Sequence, residues 1–223
     1  MIFLSEYIQS CRDCQYRKGS DLHDCNRMTI DMKIRNATAN DARHLAILIN
    51  MAGENLPESL WQQMTDKGQE ALDVGASRAA REEGSFSYRH AWMAEIDGQI
   101  AGMLLAYLLP DDYALSELGS YPAVVKPLVE LEALAPGSWY INAIATYEKF
   151  RGRGVASALL SACETHARLA GANRLCLIVA SENEGAHSLY LKLDYRQIAS
   201  RPLIGYPGGP DGGEWLLMVR ELD

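Results

Sequence analysis

The stretch from Trp139 to Val179 constrains the fold of this chain more than any other. A strand-like segment, Trp139 to Ala145, runs through Lys149-Phe150-Arg151-Gly152-Arg153-Gly154-Val155-Ala156 into an amphipathic helix pattern that reaches Ala170 and stops at Gly171. Val155, Ala158, Leu159, Ala162, His166 and Leu169 keep the i, i+3, i+4, i+7 rhythm of a helix with one buried face. Leu175-Cys176-Leu177-Ile178-Val179 is then apolar without a break, as a strand covered on both faces of a mostly parallel sheet would be. The unit reads as a βαβ crossover with its glycine loop at the carboxyl end of the first strand, where open α/β sheets bind ligands. Glycines at 152 and 154 leave the backbone bare enough for an anion to reach its N–H groups. The helix behind them adds unpaired N–H donors and the positive end of its dipole, so the loop reads as a diphosphate cradle.

Three phosphate-binding patterns compete for it. A P-loop needs G-x-x-x-x-G-K-[ST], which the chain lacks. A dinucleotide fingerprint needs G-x-G-x-x-G directly after the strand, and here Ser157 stands in the third glycine place. The third pattern, [QR]-x-x-G-x-[GA], is met in full by Arg151 to Ala156. Further on, Asn183-Glu184-Gly185-Ala186-His187-Ser188-Leu189-Tyr190-Leu191-Lys192-Leu193-Asp194-Tyr195 fits N-x-x-A-x-x-L-Y-x-K-x-G-[FY], with Asp194 where glycine is usual. Aspartate tolerates the left-handed conformation of a helix C-terminus, so the departure is small. The two motifs together resemble those of the GCN5-related N-acetyltransferase (GNAT) superfamily.

The rest of the chain is ordered as that resemblance requires from Met32 onward. Met32 to Arg35 alternates like a short strand, and Thr38-Ala39-Asn40-Asp41 offers capping residues before Leu45, Leu48 and Ile49 at helical spacing. A second helix is expected over Pro57 to Arg81. Strands follow at Ala91 to Ile96 and Gln99 to Leu109, hinged on Asp97-Gly98. Residues 110 to 138 hold four prolines and two glycines and read as a long connection with one short helix, bordering the site. A short helix begins after Asn183, and Arg196 to Ile204 and Glu214 to Glu221 are closing strands. The expected fold is α/β (α+β): a mixed central sheet of six to seven strands with helices on both faces, splayed between strands 139–145 and 174–180. The acyltransferase domain is expected over 28–223, after an N-terminal extension, 1–27, that is loosely structured.

At 223 residues, 48% apolar and 22% charged, the composition is that of a globular protein with one substantial core. The net charge of −8 argues against a nucleic-acid partner and is compatible with an amine substrate. The longest apolar run, Ile100 to Leu109, is half of what a membrane span needs, and Glu6 and Arg12 interrupt the apolar start Met1-Ile2-Phe3-Leu4. Five cysteines in a chain of this size fit reduced thiols and a cytoplasmic location. Cys11, Cys14, His23 and Cys25 have a spacing open to zinc, but one CxxC with no second pair is a weak signal and no metal is expected. Cys163 and His166 read as part of the buried helix face, and no nucleophile elbow is present.

The resemblance implies acetyl-CoA as donor and a primary amine as acceptor, attacking the thioester directly in a ternary complex. Backbone groups of Arg151, Gly152, Arg153, Gly154, Val155 and Ala156 would hold the pyrophosphate, with charge from Arg151 and Arg153. Free backbone at Ile144, Ala145 and Thr146 would pair with the pantetheine amides, and Asn183 would face that arm while capping its helix. Tyr190 matches the general acid, a phenol that keeps its proton at neutral pH. The base is sought among carboxylates before the catalytic strand, Glu132 first and Glu130 next. Tyr140 and Asn142 share a strand face and are expected to line the acceptor cleft, although Asn142 equally suits a backbone irregularity. The acceptor stays open between a small molecule, which the acidic charge favours, and a protein or peptide. A catalytically silent CoA-binding module on the same fold is the alternative. Homodimers are compatible with the family.

Overall fold

The computed structural model describes residues 31–113 and 115–222. The expected extension over 1–27, with Cys11, Cys14, His23 and Cys25, lies outside the described residues. Among the described residues, seven strands form one sheet: β1 (Met32–Asn36), β2 (Ala91–Ile96), β3 (Gln99–Leu108), β4 (Trp139–Thr146), β5 (Arg174–Ala180), β6 (Arg196–Pro202) and β7 (Glu214–Glu221). Their order is β1-β2-β3-β4-β5-β7-β6. Of the adjacent pairs only β4–β5 is parallel, so the sheet is mixed as expected but mostly antiparallel. It is not the mostly parallel sheet suggested by the unbroken apolar run of β5, which is buried because helices cover both faces.

The helices are α1 (Ala42–Ala52), α2 (Leu56–Gln62), α3 (Ala71–Ala79), α4 (Lys126–Glu132), α5 (Val155–Leu169) and α6 (Glu184–Lys192). They cover both sheet faces because β3 alternates. Met103 and Leu105 pack with Leu45, Leu48 and Trp61 of α1 and α2, whereas Leu104 and Ala106 pack with Val155, Leu159 and Cys163 of α5.

Two further details differ from the sequence pattern. The helix expected over 57–81 is two helices, parted at residues 63–70 where Gly68 takes φ 86°. Trp61 lies flat on Gly75, where a Cβ would come within 2.5 Å of the indole. In one continuous helix those residues would stand about 21 Å apart, so the contact requires the break. On α5 the buried stripe is Val155, Leu159, Cys163 and Ala167, while His166 is exposed and stacks on Trp92 at 4.8 Å, and Leu169 is 81% exposed. The i+4 stripe faces the sheet, and the 158–162–166 row lies about 100° round the helix. Cys163 and Cys176 are fully enclosed, and burial pushes both thiols up to about 12, as inert small hydrophobes.

The entry from β1 to α1 is fixed by one buried carboxylate. Asp41 receives both terminal nitrogens of Arg35 at 2.8 Å and also the N–H and hydroxyl of Thr38, at 2.8 and 2.9 Å, closing a capping box. Arg35 holds the Asp41 carboxyl down to about 2, from an ordinary 3.8. Because the folded value is depressed, the stabilisation is complete above the ordinary value and is lost as pH falls through it toward 2. Arg35→Met is expected to cost on the order of 2 kcal/mol at neutral pH. In urea denaturation followed over pH, the wild type should lose that increment between about pH 4 and pH 2 and the variant should not.

Candidate active site

The site begins where β4 leaves β5. The strands pair at Trp139↔Leu175, Tyr140↔Cys176 and Ile141↔Leu177, and no further. On its other edge β4 jumps register, from Ala106↔Ile141 to Leu105↔Ala143, so Asn142 is an extra residue with no partner on β3. That bulge bends β4 away from β5 and leaves the backbone groups of Asn142 to Thr146 that point toward β5 without a strand partner. β5 remains in the sheet because its other edge pairs with β7 along its whole length.

The wedge opens into a cleft of about 940 Å³ that reaches the start of α5. There Gly152 and Gly154 take φ 73° and 81°, a left-handed conformation costly for other residues. The first helical hydrogen bond of α5 runs from Ala158 N–H to Gly154 O, so the N–H groups of Val155, Ala156 and Ser157 have no acceptor within the helix. Arg151, Gly152 and Ala156 line the cleft. Val155 instead packs into the core, and Arg153 lies over the Phe150 ring at 5.6 Å.

The far wall is α6. Asn183 Oδ1 accepts from Ala186 N–H at 3.1 Å, capping the helix as expected, and Asp194 closes it at φ 64°. Tyr190 faces the cleft although only 6% exposed, and burial raises its hydroxyl above the ordinary phenol value. It is therefore protonated throughout the neutral range, as a proton donor must be.

The expected base and acceptor contacts fall differently. Ile144, Ala145, Thr146 and Asn142 line the cleft, but Tyr140 and Glu132 are not among the lining residues. Tyr140 is buried behind β4 with Leu131, Leu217 and Trp215. Glu132, the last residue of α4, accepts a hydrogen bond from the Tyr113 hydroxyl; burial raises its pKa, and the hydroxyls of Tyr113 and Tyr140 lower it in part. Glu130 is bound to Arg201 at 2.7 Å. The 110–138 connection thus supports β4 from beneath. Asn142 joins this group, its Nδ2 donating to Tyr107 Oη at 3.3 Å, while Tyr107 meets the Tyr140 ring edge-on at 5.7 Å.

The carboxylates that do line the cleft are Glu54, Glu182 and Glu184. Glu54 sits in the turn between α1 and α2 and accepts from Asn183 Nδ2 at 2.8 Å. The only trace of it in the sequence is Gly53-Glu54-Asn55, a turn composition directly before Leu56-Pro57 at the start of α2.

The sequence model of the acetyltransferase (GNAT) family matches residues 55–195, from α2 through the whole wedge and α6. The chain belongs to the GNAT family. Among curated proteins, the N-acetyltransferase YdgE of Bacillus subtilis, itself uncharacterised, is 43% identical over 56 residues, which is 25% of this chain and 36% of that relative. Among solved structures, a polyamine N-acetyltransferase of Drosophila melanogaster that forms N-acetylagmatine aligns over 86% of this chain and 100% of its own, with 15% identity and a TM-score of 0.62. YncA of Salmonella typhimurium, solved with acetyl-CoA, aligns over 86% and 94%, with 18% identity and a TM-score of 0.53. At those identities the likeness is one of fold. The wedge offers two kinds of unpaired donor, the free backbone edge of β4 and the N–H groups at the start of α5.

Gly154→Ala places a Cβ on a residue held at φ 81°, in open space, so only the backbone is strained. The expected result is a roughly tenfold weaker CoA dissociation constant in calorimetry, with the melting temperature nearly unchanged.

Proposed function

We propose that the protein transfers an acetyl group from acetyl-CoA to a small primary amine, by direct attack in a ternary complex. Acetyl-CoA is a substrate in this reading and supplies the activated thioester. The observation that carries it is the continuity of the wedge: one strand edge with free backbone groups runs into an anion cradle at one end and faces a buried, protonated tyrosine across the gap. The β4 backbone would hold the pantetheine amides, residues 151–156 the pyrophosphate, and an N–H beside the bulge would polarise the thioester carbonyl. Tyr190 would give its proton to the departing thiolate.

A small cationic acceptor is favoured by the three cleft carboxylates and by the net charge of −8. The Drosophila enzyme of like fold acts on such a compound, which agrees with the choice. The silent CoA-binding module keeps the same cradle, so it differs only in turnover.

Thiol release from acetyl-CoA, measured across a panel of polyamines, aminoguanidines and peptides, separates the readings. Release with a polyamine-like amine supports the proposal, release only with peptides moves the acceptor class, and CoA binding without release under any amine leaves the silent module. Tyr190→Phe is expected to lower kcat by at least ~100-fold with CoA affinity unchanged. Full turnover in that variant removes Tyr190 from the acid role.

A further inference from the structure

We infer that Glu54 is the group that binds the acceptor's ammonium and takes its proton. This rests on the acetyl-transfer reading above and supplies the base that reading lacks, since Glu132 and Glu130 are engaged away from the cleft lining.

Several independent constraints hold the Glu54 carboxylate in place. Its Oε1 accepts from Asn183 Nδ2 at 2.8 Å, and the side-chain carbonyl oxygen of Asn183, Oδ1, is committed to the α6 cap. Asn183 therefore has one orientation and gives Glu54 one position. The turn beneath is strained: Glu54 and Asn55 both take left-handed backbone, φ 52° and 67°, although neither is glycine. Tertiary contacts maintain it, because Tyr206 Oη donates to Glu54 O at 3.1 Å and Asn55 Nδ2 donates to Gly208 O at 2.9 Å. Strain kept in place by distant loops is characteristic of working sites. Glu182 and Glu184 line the same cleft, but both are exposed, and Glu182 only meets Ser181 Oγ at 3.3 Å.

Position also favours Glu54. Asn183 and Tyr190 are seven residues apart on α6, hence on one face and separated by about 10 Å along its axis. Both line the cleft, so the carboxylate and the phenol bracket one stretch of it. In the step, the ammonium gives one proton to Glu54, which passes it to solvent. The freed nitrogen pair forms the C–N bond as the C–S bond breaks. The sulfur takes the Tyr190 proton, and the second proton leaving nitrogen restores the phenol.

Glu54→Gln tests this, because the amide oxygen can still accept from Asn183 while the negative charge and the basicity, which only a protonated amine needs, are both lost. With an alkylamine, kcat/KM of the variant should fall ~100-fold near pH 7, and the deficit should shrink as pH rises toward the amine's own pKa of about 10. With a weakly basic amine already neutral at the assay pH, the deficit should largely vanish. Melting temperature and CoA affinity should match the wild type. An equal loss at every pH and with both amines means that Glu54 only shapes the cleft, and undiminished turnover means that it has no part; either overturns the inference while acetyl transfer stands. A wild type that binds CoA and acetylates no amine overturns acetyl transfer, and the role of Glu54 with it.

Discussion

The parallel pairing of β4 with β5 stops at Ile141↔Leu177, and the rest of the molecule is arranged around that interruption. Unpaired backbone N–H and C=O groups inside a sheet are costly, on the order of 1–3 kcal/mol for each buried group left unsatisfied. The bulge at Asn142 turns the strand so that these groups face a cleft rather than a core. Gly102 allows β3 to follow closely underneath, since a Cβ there would lie 2.6 Å from the Ala145 carbonyl oxygen. β7 satisfies the free edge of β5, so the sheet opens on one side only.

The polar group behind the bulge supports it from the other side. The Tyr113 hydroxyl donates to Glu132, the Tyr140 hydroxyl helps to hold that carboxyl's pKa down, and Tyr107 connects Tyr140 to Asn142. Buried polar groups satisfied in this way rigidify a structure and specify one arrangement. Glu132, expected as the base from its place before the strand, belongs to this group and does not line the cleft. Three carboxylates line the cleft, and one of them, Glu54, comes from the α1–α2 turn, more than a hundred residues from the helix cap that orients it.

Much of the architecture was readable in advance. The crossover from Trp139 to Ala180, the Asp97-Gly98 hairpin, the cap at Asn183 and the left-handed Asp194 all lie where local pattern placed them. The errors share a cause. The break between α2 and α3 follows from Trp61 packing on Gly75, and the exposure of His166 and Leu169 follows from which stripe of α5 meets the sheet. Both are decided by neighbours that periodicity within one segment does not describe.

The glycine turn before α5 and the helix starting after Asn183 were determined by the sequence alone, because glycine conformations, caps and helix periodicity act within a few residues. The bulge that sets where β4 leaves β5, the buried position of Glu132 and the placement of Glu54 were decided only by tertiary structure. A bulge is visible only in register against a neighbouring strand, and a side chain's partners depend on which distant loops and helices meet it.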